Sequence, residues 1–128
     1  MTATAPLHGL RVLIVEDESL LALLLEDMLG DIGCMVVGVA STVAAAIDAI
    51  AKVDAGAAIL DIKLGDEKSY AVAEALAARG VPFVFATGYG DLRLEEPWQD
   101  RPVLQKPFAQ KQLEDVLGSI VGAGPAPR

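Results

Sequence analysis

Short apolar runs rich in β-branched residues alternate with longer stretches of helical pattern along nearly the whole chain. Five of the runs read as strands: Leu10 to Val15, Met35 to Ala40, Ala57 to Asp61, Phe83 to Thr87 and Val103 to Gln105. Most are continuously apolar rather than alternating, as strands buried on both faces are, and their alternation with helices is the signature of βαβ units around a parallel sheet. The helices are well punctuated. Ser19 can cap a stretch that runs to Ile32 and stops at Gly33, and Thr42 can cap another that runs to about Val53. A third spans Ser69 to Arg79 before Gly80, and the last runs from about Ala109 to Val121. The pattern predicts an α/β fold with helices on both sides of a five-stranded parallel sheet. Gly88 to Arg101 breaks the rhythm, because Gly88, Gly90 and Pro97 interrupt it and Leu92, Leu94 and Trp98 fit no sustained stripe; it reads as a short or frayed helix. The first helix carries Leu20, Leu21, Leu23, Leu24, Leu25, Met28 and Leu29, more apolar positions than one sheet-facing stripe requires, so some of these leucines should be exposed. Trp98, beside Pro97, reads as a local packing anchor.

At 128 residues, 53% hydrophobic and 22% charged, the chain has the size and apolar content of one globular domain and is far too apolar for a disordered chain. The domain is expected over residues 10–121, between a flexible arm at 1–9, where His8 has no assigned role, and a flexible Gly/Pro/Ala tail at 122–128. The formal charge of −8 opposes a phosphate backbone, so direct nucleic-acid binding is not expected. The longest apolar run, Leu20 to Leu25, is far short of the roughly 20 residues that span a bilayer, and the N-terminus lacks the basic and apolar regions of an export signal. A cytoplasmic protein without membrane insertion is therefore expected. A lone cysteine, Cys34, excludes an internal disulfide and a cysteine metal cage, and reads as a buried small hydrophobe.

In an open α/β sheet, ligands bind beyond the carboxyl ends of the parallel strands, and here those ends are polar. The first strand ends in Glu16-Asp17-Glu18, the third in Asp61 and the fourth in Thr87, and the fifth runs into Lys106. Carboxylates converging from neighbouring strands repel by about 4 kcal/mol per pair at 4 Å with an effective dielectric near 20. Protonation or Lys106 could offset that, but a hard divalent cation does so best; Mg²⁺ suits an acidic pocket without a histidine cage better than zinc. A metal, a carboxylate, a hydroxyl and an ammonium are the parts for phosphoryl transfer to an aspartate. In that scheme Asp61 attacks phosphorus, Lys106 and the metal stabilise charge on the transferring oxygens, and Thr87 hydrogen-bonds a phosphoryl oxygen. A small Mg²⁺-dependent phosphohydrolase could use the same acidic cluster and stands as the alternative. A flavin-binding domain of this fold class fits poorly, since Glu16, Asp17 and Glu18 would repel a flavin phosphate.

At these residues the chain resembles the receiver domains of bacterial two-component response regulators, from Leu10 to about Val121. The resemblance lies in Val12-Leu13-Ile14-Val15-Glu16-Asp17-Glu18, Ala58-Ile59-Leu60-Asp61-Ile62 and Gln105-Lys106-Pro107-Phe108. Phe85-Ala86-Thr87-Gly88-Tyr89 looks like the signature of a subgroup rich in stand-alone receivers. The resemblance implies a flavodoxin-like, doubly wound fold and phosphorylation of Asp61 by a histidine kinase or a phosphotransfer protein. It implies Mg²⁺ held by Glu16, Asp17, Asp61 and the backbone carbonyl of Lys63, and a cis bond before Pro107. It also implies output through a downstream protein partner, in a protein that is a signalling phosphoacceptor rather than an enzyme. The chain departs from the common receiver pattern at Lys63-Leu64-Gly65, where Met-Pro is frequent, and at Val103, where many receivers have an aromatic residue; Tyr89 is a candidate substitute for the latter.

Overall fold

The structure, a computed structural model, describes residues 7–88 and 94–122. The apolar runs pair side by side as strands β1 (Arg11–Val15), β2 (Met35–Ala40) and β3 (Ala57–Asp61). A two-residue hairpin follows, made of β4 (Lys63–Leu64) and β5 (Glu67–Lys68), and the main sheet is completed by β6 (Phe83–Thr87) and β7 (Val103–Gln105). The five long strands are parallel in the order β2-β1-β3-β6-β7, a doubly wound, flavodoxin-like arrangement. The helices among the described residues are α1 (Ser19–Ile32), α2 (Val43–Lys52), α3 (Tyr70–Ala78) and α4 (Gln110–Gly122). None is long and apolar enough to cross a membrane.

Alternation along the strands divides the core into two layers. Leu13 and Val15 of β1, Leu60 of β3 and Phe83 and Phe85 of β6 pack with Ala46 and Ile50 of α2 and Val72 and Leu76 of α3. Val12, Ile14, Ile59 and Val84 point the other way, onto Leu25 and Leu29 of α1 and Leu113 and Leu117 of α4. β3 and β6 are buried at every position, which explains why both read as apolar runs up to their polar last residues, Asp61 and Thr87. Leu7 is fully buried in the second layer, and the Gly9 N–H bonds the Gly33 carbonyl at 2.7 Å. Packing thus begins before the boundary placed at Leu10.

Two helix starts differ from the sequence reading. Thr42 does cap α2, its hydroxyl accepting the Ala45 N–H at 3.0 Å. Ser19, however, is the first residue of α1; Glu18 holds the cap position and makes no side-chain cap bond. Ser69 sits at the cap of α3 but its side chain does not bond the helix. The α1 stop is as anticipated: Gly33, at φ 105°, turns left-handed, and the N–H groups of Gly33 and Cys34 return to the Leu29 carbonyl.

The segment from Gly88 to Arg101 is the main departure from the sequence reading. Its described part, Gly88 and residues 94–101, forms bends and turns rather than a helix, with a cis Glu96–Pro97 bond; residues 89–93, where the rest of that expectation falls, lie outside the described residues. Trp98 is the packing anchor anticipated, meeting Phe83 edge-on at 5.8 Å with the Arg101 guanidinium 5.4 Å from its own ring. The excess leucines of α1 divide as the pattern requires: Leu25 and Leu29 are buried, while Leu20, Leu23 and Leu24 are exposed. Cys34 is only half-buried, its thiol 3.6 Å from the Leu7 carbonyl, and burial followed by the Glu114 charge raises its pKa.

Candidate functional site

Sheet register brings the polar strand ends together. The Glu16 N–H bonds the Ala40 carbonyl at 2.9 Å, continuing the β1–β2 ladder one residue past the strand, and the Glu16 carboxylate then accepts the Glu18 N–H at 3.1 Å. This buries the Glu16 side chain and leaves Asp17 at the surface, where its Oδ2 accepts the Gly65 N–H at 2.8 Å. Asp61 ends β3 on the neighbouring strand. One carboxylate oxygen from each of Glu16, Asp17 and Asp61 lies within 4.8 Å of the other two.

Lys106 enters from the opposite side. Its N–H bonds the Thr87 carbonyl at 2.7 Å, extending the β6–β7 pairing, and the bond to Pro107 is cis, as the resemblance implies. The Lys106 Nζ lies 2.7 Å from Glu16 Oε1 and 3.2 Å from Asp61 Oδ2. Thr87, buried at the end of β6, follows Ala86, the register partner of Asp61. Lys63, whose carbonyl is the remaining implied ligand, opens β4 opposite Lys68. Register and turns therefore gather Glu16, Asp17, Asp61 and Lys106 at one end of the sheet, with Thr87 and Lys63 on the segments beside Asp61.

The charges do not balance. Burial, then the Glu16 charge, push the Asp61 pKa up to about 6 against the opposing pull of Lys106. Burial disfavours the charged form of Lys106, but the hydrogen bonds and charges of Glu16 and Asp61 outweigh it and raise its pKa. Three carboxylates against one ammonium leave excess negative charge, and the side chains offer oxygen donors without imidazole or thiolate. That donor set fits a hard divalent cation such as Mg²⁺ and suits zinc poorly.

Over residues 12–117 the chain matches the response regulator receiver domain family. It belongs to that family. Among solved structures it is similar to SdrG from Sphingomonas melonis Fr1, at 46% identity and a TM-score of 0.80, over 94% of this chain and 99% of that one. The BeF3-activated conformation of SdrG from Pseudomonas melonis Fr1 matches at 48% identity and a TM-score of 0.75, over 87% of this chain and 95% of that one. The receiver domain of the PhyR response regulator of Erythrobacter litoralis matches at 29% identity and a TM-score of 0.79, over 94% and 96%. A search of curated proteins finds no match. The chain is thus a two-component signalling receiver, and these findings lend the phosphohydrolase alternative no support.

Several parts of this receiver escape the sequence. Gly65, noted only as a departure from Met-Pro, turns the β4–β5 hairpin at φ 60° and donates to Asp17. β4 and β5 are two residues each, and apart from Leu64 all of them are charged, so they carry no hydrophobic alternation from which to read them. Ser69 gives its hydroxyl to the Asp61 and Ile62 carbonyls. Lys68 pairs with Glu95 at 2.7 Å, and the Tyr70 hydroxyl accepts the Glu95 N–H at 3.0 Å. Such long-range contacts have no local signal. Val103 is exposed on β7, and Tyr89 lies outside the described residues.

Proposed function

We propose that Asp61 is the phosphoacceptor of this receiver. The observation that carries the reading is the placement of its carboxylate at the end of β3, clustered with those of Glu16 and Asp17 and bonded by the Lys106 ammonium that also bonds Glu16. In the step proposed, an Asp61 carboxylate oxygen forms a bond to the phosphorus of a phosphohistidine. The P–N bond breaks, its electron pair stays on the imidazole nitrogen, and an acyl phosphate remains on Asp61. A hard dication held by Glu16, Asp17, Asp61 and the Lys63 carbonyl would neutralise charge on the phosphoryl oxygens. Lys106, already bonded to Asp61, is positioned to exchange that partner for a phosphoryl oxygen, and the Thr87 hydroxyl would donate to another.

The phosphodonor in this reading is a histidine kinase or a phosphotransfer protein, and output passes to a downstream protein. The protein acts as a signalling phosphoacceptor rather than an enzyme with substrates of its own. The motif from Phe85 to Tyr89 supports the subgroup rich in stand-alone receivers, and the similarity to a receiver with a BeF3-activated conformation supports a phosphate-driven change of shape. Incubation with a panel of phosphorylated histidine kinases and phosphotransfer proteins tests the reading. Label should move from histidine to the wild-type chain and not to Asp61→Asn; equal labelling of the two would refute it.

A further inference from the structure

Ser69 is fully buried, and a buried hydroxyl is costly unless its hydrogen bonds are made. It stands at the cap of α3, yet its side chain does not bond the helix. Both of its donors turn instead to the end of β3. The Ser69 N–H bonds the Ile62 carbonyl at 2.8 Å, and the hydroxyl lies 3.0 Å from that same oxygen while also bonding the Asp61 carbonyl. One hydroxyl proton serves two carbonyls by sharing. The β1–β3 pairing ends at Val15 and Leu60, so these carbonyls lie past the last paired residue of β1. On its other side the same stretch is tied by the Ile62 N–H to the Ala86 carbonyl at 3.1 Å.

We propose that Ser69 is a positioning residue for phosphoryl transfer, an inference that rests on Asp61 being the acceptor. Peptide groups are rigid planes, so holding the carbonyls of Asp61 and Ile62 fixes the planes on either side of Ile62. The Asp61 Cα belongs to the first plane and the Lys63 nitrogen to the second. The carboxylate that attacks and the Lys63 carbonyl implied as a metal ligand are both hung from backbone that Ser69 holds. Transfer is sensitive to such placement, since an error of about 1 Å can cost roughly a hundredfold in rate.

The test compares wild type with Ser69→Ala, with Ser69→Cys, which keeps a side chain of similar size but is a poor donor, and with Val72→Ala. Val72 is buried in the same helix and bonds neither carbonyl through its side chain, so its truncation loosens the packing of α3 on the sheet while leaving the Ser69 hydroxyl bonds in place. The readouts are Mg²⁺ affinity and the phosphorylation rate from a small acyl phosphate at saturating Mg²⁺, taken where each variant is folded by circular dichroism. Loss of a group that orients a ligating segment typically costs 10–100-fold, so Ser69→Ala and Ser69→Cys should weaken both readouts about tenfold or more. Val72→Ala should lower the melting temperature and leave both readouts near wild type. A folded Ser69 variant that matches wild type in both, or a Val72→Ala variant that loses as much, overturns the proposal. Asp61→Asn separates the two inferences, because labelling that survives in it removes the acceptor reading itself.

Discussion

Asp61 is held where its charge is costly, and that cost is measurable. Its pKa rises from an ordinary 3.8 to about 6 because burial and Glu16 both disfavour the carboxylate. Between about pH 4 and pH 6 the folded chain therefore keeps a proton that the unfolded chain has released, so this residue's contribution to stability falls as pH rises through that window. A pKa difference of one corresponds to about 1.4 kcal/mol. Solvent at the mouth of the crevice screens part of the repulsion, so the deficit at pH 7 in metal-free protein is on the order of 1–2 kcal/mol. Asp61→Asn should accordingly stabilise the metal-free protein at pH 7, with the gain fading towards pH 4. Urea unfolding of both proteins across that range checks the sign. Lys106 bonds Glu16 and Asp61, the carboxylates a cation would use, and its own charge opposes a second cation. Lys106→Met should tighten Mg²⁺ binding while slowing phosphorylation, two opposite effects that a titration and a rate measurement would separate.

Among the helices, the two starts that look alike in the sequence supply a paired prediction. Thr42→Ala removes a cap bond that the structure contains and should cost about 1 kcal/mol, whereas Ser19→Ala removes none and should stay within about 0.5 kcal/mol. Denaturant midpoints of the two variants decide it. Both residues look like caps because cap preference is a local signal. At Ser19 it is overridden by the turn that Glu16 closes onto the Glu18 N–H, which moves the helix start back by one residue. Strands β2, β3, β6 and β7 are legible to the residue because each is a short run rich in β-branched or apolar residues that alternates with helical pattern, although only β3 and β6 are buried throughout. The segment after Thr87 is not. Its order at residues 94–98 comes from partners distant in sequence, Lys68 and Tyr70 on Glu95 and Phe83 on Trp98. Tyr70→Phe removes the acceptor of the Glu95 N–H, so hydrogen exchange at that amide should quicken about fivefold, for a bond worth about 1 kcal/mol. Unchanged exchange would mean that this contact does not hold the segment.

In the assembled fold, the sheet order places the ends of β1, β3, β6 and β7 in sequence around one crevice, which is how Glu16, Asp61, Thr87 and Lys106 come to face a common region. That convergence is legible in the sequence because strand ends are where parallel sheets put their chemistry. The supporting contacts are not, because the Ser69 hydroxyl meets backbone carbonyls and Gly65 donates from its own backbone N–H, and both pairings depend on the folded turn. A cation that binds the folded chain alone stabilises it by mass action, about 2.7 kcal/mol at a hundred times its dissociation constant. Mg²⁺ should therefore raise the melting temperature of wild type and do so less in Asp17→Asn, which retains the other two carboxylates. Phosphorylation at Asp61 is tested most directly by peptide mapping with mass spectrometry after treatment with a small acyl phosphate and Mg²⁺. The phosphoryl group should be found on Asp61, and Asp61→Asn should acquire none; a wild-type protein modified at another residue, or an Asp61→Asn variant modified to the same extent, would contradict the assignment.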